Sequence, residues 1–235
     1  MTAIQAANVS VDVEFVLDDA HHFDDCNFTG GADVVRGDQQ DAIAALDPTA
    51  ATPESDAEAA LEFGRWLHTT QDFYAHSNWV ELGEGGLVDA SFGLWPAWTP
   101  YEVLSPSGVG LVQGSSPKRT SVTRHADAPY PQDAIVRVKT GPAAHPGVMT
   151  GTVDYEPGNY CPPSIAMTHA DLNKDFSDTA GREAQFVTAK ALAVQQTSHE
   201  WCRLVSMTRA AWGDAGVAHL MTWASDASAA SCAEP

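Results

Sequence analysis

The chain has 235 residues, 44% of them hydrophobic, enough for one sizeable core or two small ones. Its 31 acidic residues against 12 basic ones give a formal net charge of −19. Such a chain repels polyanions at long range, which makes nucleic acid an unlikely partner class and disfavours anionic lipid surfaces in the same way. No run of about 18 apolar residues occurs, so no segment reads as a membrane span.

Residues 1–19 lack a basic n-region and a long apolar stretch, so they do not read as a signal peptide. The chain is read as a mature form or as one domain of a longer protein. Its acidic, lysine-poor surface suits secretion or a salty milieu, or reflects genome composition alone, and a secreted or cell-surface location is the expectation. "VSVDVEFVL" alternates apolar residues at Val9, Val11, Val13 and Phe15, the period of a strand. "HHFDDCNF" follows, then a helix is predicted near residues 36–46. Asp47-Pro48 ends it. Ser55 with Glu58 reads as a capping box opening the next helix, which runs to about Ser77.

Residues 84–165 are rich in Gly, Pro, Ser and Thr. They read as an irregular, partly β insertion on a helical scaffold, a decorated surface or lid, with β-prone pieces in "AIVRVKTG" and "GVMTGTVDY". Residues 180–207 read as a long helix, 208–225 as one more short helix, and "SDASAASCAEP" as a tail. Cys26, Cys161, Cys202 and Cys232 include no CxxC pair. A Cys202–Cys232 bridge would staple the tail and a Cys26–Cys161 bridge would tie the N-terminal segment to the middle. Four free, buried thiols are the competing reading.

The chemistry lies in "LEFGRWLHTTQDFYAHSNWVELG", residues 61–83. On a wheel of about 100° per residue, Phe63, Trp66, Leu67, Phe73 and Tyr74 gather on one side. His68, Asp72 and His76, spaced four apart, gather on the other with Arg65. That spacing aligns two imidazoles and a carboxylate within reach of a shared cation. A merely solvated helix face is the alternative, but such faces usually carry Lys, Glu and Gln, which are better helix formers than His and Asp.

The same stretch resembles the signature of the fungal heterokaryon-incompatibility family Het-C and the related N-terminal regions of von Willebrand factor A domain-containing proteins. "HHFDDC" (21–26) is similar to the family's His-Phe-Asp-x-Cys element. "LNKD" (172–175), followed by an Ala-rich helix, is similar to its Leu-Asn-Lys-Asp element. "LEFGRWLHTTQD" is more distantly similar to the Leu-x-x-Leu-His-x-x-x-Asp helix of zinc-dependent phospholipases C and of single-strand-specific zinc nucleases. The resemblance implies a single, mainly α domain over 1–235, a helical bundle of the zinc-dependent phospholipase C type. It places His68 and Asp72 on metal ligands, with Asp72 able to bridge two ions. His76 corresponds to the next ligand, at a spacing two residues shorter than in those enzymes. Their ligating N-terminal tryptophan has no counterpart here.

His22 with Asp25 is the N-terminal candidate to complete the site, and His21 the alternative; a polar turn around a buried Phe23 competes with this reading. His169 and Asp171 are further ligand candidates, and Asp25, Asp171 or Asp175 candidates for the general base, Asp25 and Asp175 first. Helix capping by Asp175 or Asp178 is the plainer reading of that segment. Asn78, Trp79 and Lys174 are the candidates for substrate contact. His199 and Glu200 form a weaker pair, and His125, His145 and His219 read as surface or structural. One to three zinc ions are the expected cofactor, with calcium on the acids as the alternative. The expected activity is hydrolysis of a phospholipid or small phosphodiester, with Trp95, Trp98 and Tyr101 offering a peripheral membrane contact or a satellite core. The competing expectation is a non-catalytic effector domain with a structural ion.

Overall fold

The computed structural model describes residues 2–81, 85–88, 102–105, 108–111, 150–151, 153, 169–177, 182–222 and 232, without the side chains of 26, 29, 171 and the two strands. The described chain is mainly helical. Its elements in order are α1 (Ala3–Glu14), α2 (Asp19–His22), a 3₁₀ turn (Asp24–Cys26), α3 (Phe28–Ala45), α4 (Pro53–His76), β1 (Glu102–Ser105), β2 (Gly108–Leu111), α5 (His169–Leu172) and α6 (Glu183–Leu220). Strands β1 and β2 pair antiparallel, Glu102 opposite Leu111. Among the described residues no helix is long and apolar enough to cross a membrane.

The opening segment is a helix, which corrects the strand expected from its alternating valines. Thr2 and Gln5 form a capping box, each side chain accepting from the other's backbone N–H. The residues that α1 buries, Ala7 and Val11, stand four apart, whereas Val9 and Val13 face solvent. The alternation therefore spans two faces of a helix. Gly64 on α4 makes the docking possible: a Cβ there would lie 2.5 Å from Ala7 Cβ and 2.6 Å from the Ile4 carbonyl.

Helix α3 begins earlier than the sequence suggests. Asn27 caps it by accepting from Gly30 N–H, and Phe28, Ala32, Val35, Ala42 and Leu46 form its buried stripe. Helix α4 is capped by Thr52 with Ser55, not by Ser55 with Glu58, and Pro53 occupies its first turn. It is the central element, packed against α1, α2, α3, α5 and α6. Trp66, Phe73 and Tyr74 are fully buried on it, and truncating such an aromatic to Ala costs about 3–5 kcal/mol.

The C-terminal helix runs past the boundary expected after 207 and kinks at Gly213, so the short last helix expected over 208–225 is the segment beyond that kink. It leaves helical geometry only at Gly213, whose φ of 65° a residue with a Cβ adopts at a cost. Cys202 and Cys232 are joined as a disulfide, Cα atoms 5.2 Å apart, closing a 30-residue separation. The second bridge, Cys26–Cys161, "AIVRVKTG", and Trp95, Trp98 and Tyr101 lie outside the described residues or side chains. Of "GVMTGTVDY", Thr150 bridges Ser77 and Gly151 N–H donates to the His76 carbonyl.

Candidate metal centre

His68, Asp72 and His76 project from one side of α4 at successive turns, as their spacing requires. That side is not a wet face. α1, α2 and the α5 loop cover it, so His68 and His76 are buried and the Asp72 side chain is only 14% exposed. The covering segments bring their own ligand-type groups: Asp12 from α1, His22 from α2, Asp24 and Asp25 from the turn, and His169, Asn173 and Asp175 from α5 and its exit. Phe23 and Asp25, at φ 52° and 55°, hold left-handed backbone on either side of Asp24. For a bulky Phe this conformation is an outlier, of the kind that clusters at functional sites.

These groups fall into two clusters: Asp12, His22 and His68 converge in one, and Asp24, His76 and His169 in the other, with ligand-type atoms within 4.8 Å of one another in each. Asp72 stands between them. Its Oδ2 is 2.8 Å from His22 Nδ1, 3.0 Å from His68 Nε2 and 3.9 Å from His76 Nδ1.

In the first cluster His22 Nδ1, His68 Nε2 and Asp72 Oδ2 form a triangle, closed by 3.3 Å between the two nitrogens. Two ligands of a tetrahedral zinc with bonds of about 2.0–2.1 Å stand about 3.3 Å apart, so the edges suit a shared ion. The tautomer argues the same way. His22 Nε2 lies 3.2 Å from the Phe15 carbonyl, which only accepts, so Nε2 carries a proton. In neutral His22, Nδ1 then aims a lone pair at the Asp72 oxygen, while His68 Nε2–H is placed to donate to it. Added positive charge, a second proton or a cation, makes the His22–Asp72 contact favourable.

The second cluster satisfies itself with hydrogens. His76 Nδ1 donates to the His22 carbonyl at 3.0 Å, and its Nε2 faces Asp175 Oδ2 at 3.4 Å. His169 Nδ1 lies 3.0 Å from both Asp24 oxygens, and its Nε2 is 2.8 Å from the Asn173 amide nitrogen. The orientation of that amide is set because Asn173 Oδ1 accepts from Asp175 N–H at 2.8 Å. His169 Nε2 therefore accepts, and Nδ1 carries the proton shared with Asp24. The Asp24–His169 pair is the carboxylate–imidazole arrangement that orients ligands around metal sites.

Electrostatics bind the clusters together. Burial alone would raise Asp72, but the His76 and His68 imidazoles and hydrogen bonds from His22 and His68 hold its carboxyl far below the usual range. Burial likewise opposes charge on His76, yet Asp72 and Asp24 overcome it and push the imidazole up to about 10. His68 is raised, against burial, mainly by Asp72. Asp175 is lowered, again against burial, by its hydrogen bond to His76 and the charge of that imidazole. A site that raises His68 and His76 against the cost of burying their charge favours positive charge.

The other candidates lie as follows. Asp25 is fully buried, its N–H donating to the Gly151 carbonyl and its Oδ1 accepting from Val153 N–H at 3.1 Å. It fastens the 150–153 segment beside the site. Asp171 sits on α5, its side chain outside the described set. His21 is turned away, stacked on Phe15 at 3.8 Å and paired with Asp18. Lys174 is enclosed rather than facing a cleft: its ammonium donates to the Ser77 and Leu172 carbonyls and to Glu81 at 3.2 Å. Trp79 is buried, its indole N–H donating to the Gly86 carbonyl, and Asn78 is buried as well. Glu200 is buried beside Gln196, and exposed His199 lies on the same helix. His219 pairs with Asp56 at 2.8 Å.

Nothing local in the sequence marks Asp12 as a ligand, and Asp24 and Asn173 stand out there only as oxygen donors for calcium, in "DD" and "NKD". The one signal that pointed to Asp12 was the Thr2–Gln5 capping box, since a strand reading turns Asp12 to solvent while a helix carries it to α4. A family model described as the VWA7 N-terminal domain matches residues 1–91, the stretch that supplies Asp12, His22, Asp24, His68, Asp72 and His76. No curated protein and no solved structure matches the chain.

Proposed function

We propose that the chain is a metal-dependent phosphodiester hydrolase, related in mechanism to zinc-dependent phospholipases C and in lineage to the Het-C family, acting on a phospholipid or another small phosphodiester. The observation that carries this reading is the convergence of His22 Nδ1, His68 Nε2 and Asp72 Oδ2 on one locus, with the His22 proton committed elsewhere. Two imidazoles and a carboxylate suit zinc better than calcium, which prefers an all-oxygen shell. His22, His68 and Asp72 would hold the first ion. Asp24, His76 and His169 would hold or orient a second. A bound zinc would supply Lewis acidity toward the phosphoryl oxygen and a source of hydroxide near neutral pH.

The chain's own residues have separable tasks. Asp175, 37% exposed and hydrogen-bonded to His76, is the carboxylate able to reach a solvent-borne reactant and serve as general base. Asp25 holds the 150–153 segment over the site, and Lys174 with Arg182 fixes the loop that presents Asp175. Arg182 donates to the Asn173 and Ala170 carbonyls. The Cys202–Cys232 disulfide suits export to a secreted or cell-surface location.

A second reading, a non-catalytic Het-C-type domain with a structural ion, is favoured by one observation: Trp79, Asn78 and Lys174, the candidates for substrate contact, are all buried. Elemental analysis of the purified protein, followed by turnover of a chromogenic model phosphodiester with and without chelator, separates the two. Zinc with chelator-sensitive turnover supports the hydrolase, zinc without turnover the structural reading, and absence of any bound ion refutes both.

A further inference from the structure

The N-terminal helix docks closely on α4 through Ile4 and Ala7 but fully buries few side chains for an element that covers a candidate metal centre. Of its residues only Ala7 and Val11 are buried, while Val9 and Val13 are exposed. Among the described residues its polar ties to α4 are the Asn8 amide to the Gly64 carbonyl at 3.4 Å and to Gln71 at 3.2 Å, and Glu14 to Arg65 at 2.7 Å, beside the Asp12–His68 contact. An element with so little buried apolar surface belongs to the low-stability end of a fold and opens first.

The same helix carries Asp12 to the first cluster. Its Oδ1 lies 3.7 Å from His68 Nε2, and it joins His22 and His68 in a group whose ligand-type atoms all fall within 4.8 Å. The Asp12 side chain is 64% exposed, whereas those of His22, His68 and Asp72 are nearly enclosed. Asp12 thus occupies the solvent-facing edge of the triangle, the side from which an ion enters.

We propose that Asp12 is the outer ligand of the first ion and that the ion clasps α1 onto the bundle, coupling occupancy of the site to docking of the N-terminal helix. This rests on the metal-centre reading above. A carboxylate on a helix that buries so few side chains can swing toward a cation without disturbing the three enclosed ligands. Binding to the docked form alone then shifts α1 toward that form by mass action. The cation is the fastening that the sparse apolar burial of α1 does not supply.

The test uses the full chain, stripped with chelator and reloaded with zinc chloride, with hydrogen exchange read on peptides covering residues 3–14 and zinc affinity by calorimetry. In the unmodified protein zinc slows exchange of the α1 amides by about tenfold or more. In Asp12→Asn zinc still binds through His22, His68 and Asp72, weakened by about 10–100-fold, and no longer protects α1. Glu14→Gln, which loosens the same helix without touching the cluster, keeps the zinc-dependent protection. Equal affinity and equal protection in Asp12→Asn overturn the coupling, as does zinc binding that leaves α1 exchange unchanged in the unmodified protein. Failure of the unmodified protein to bind zinc at all overturns the metal-centre reading itself, and the coupling with it.

Discussion

Replacing Asp72 with Asn in the metal-free protein tests the electrostatic account of the site directly. The Asp72 carboxylate is the one counter-charge shared by three imidazoles, at 2.8, 3.0 and 3.9 Å from His22, His68 and His76. Removing one partner of a buried charge pair costs about 3–5 kcal/mol. At about 2–4 °C of Tm per kcal/mol for a chain of this size, the loss is about 6–20 °C. The pH dependence follows from the signs of the shifts. Asp72 is lowered from an ordinary 3.8, so its contribution is present above 3.8 and fades as pH falls further. His76 is raised from 6.5 to about 10, so its contribution is complete below 6.5 and is lost as pH climbs toward 10. The difference in Tm between Asp72→Asn and the unmodified protein, measured in chelator by scanning calorimetry, is therefore largest between pH 3.8 and 6.5 and shrinks on both sides. A difference that stays constant from pH 3 to pH 10 would show that Asp72 acts by shape and packing, and would refute the argument.

Zinc stabilises the chelator-stripped protein by about 4 kcal/mol at a thousandfold excess over Kd. Because Asp72 raises His68 and pushes His76 up to about 10, calorimetry in buffers of different ionisation enthalpy finds proton release on binding and tighter binding as pH rises from 6 to 8. Asp38 is pushed up to about 8 by burial and by the neighbouring Glu62, so its ionisation works against the fold between pH 3.8 and 8. Asp38→Asn, which mimics the neutral form, raises stability at pH 7.5 by about 1–2 kcal/mol and leaves it unchanged at pH 4, as read by urea denaturation. Gly64→Ala places a methyl against Ala7 and the Ile4 carbonyl. It costs about 1–3 kcal/mol in thermal melts and weakens zinc binding along with the docking of α1.

What the sequence disclosed about this site was local. The four-residue spacing of His68, Asp72 and His76 needs nothing but a helix to align them, and Phe63, Trp66, Phe73 and Tyr74 on the opposite side declare that helix. What covers the aligned face is decided elsewhere. Alternating valines favour a strand on local grounds, and the helix prevails at residues 3–14 because Thr2 and Gln5 cap it and Gly64, distant in sequence, leaves room for Ala7. Asp12 comes to the site only through that packing. Asp24 depends on left-handed backbone at Phe23 and Asp25, which no residue type there advertises. Lys174 illustrates the opposite error. A lysine beside candidate ligands suggests an anion contact, but its ammonium replaces solvent with two carbonyls and Glu81, a burial that only tertiary packing can arrange.

The two clusters differ in what they require. Around His22 the backbone claims one ring proton through the Phe15 carbonyl, so the remaining nitrogen meets an anionic oxygen and a second imidazole. Positive charge there comes from a second proton or from a cation. Around His169 the chain supplies every partner itself: Asp24 accepts one ring proton, Asn173 donates to the other nitrogen, and the Asp175 N–H fixes the amide. An ion entering there displaces a satisfied hydrogen bond, whereas an ion entering the first cluster relieves an opposed pair. On the proposed reading the first cluster would therefore take the tighter ion. The second, whose Asp175 remains within reach of solvent, is better suited to holding groups in orientation and exchanging protons. Asp72, touching both, makes the charge state of each depend on occupancy of the other.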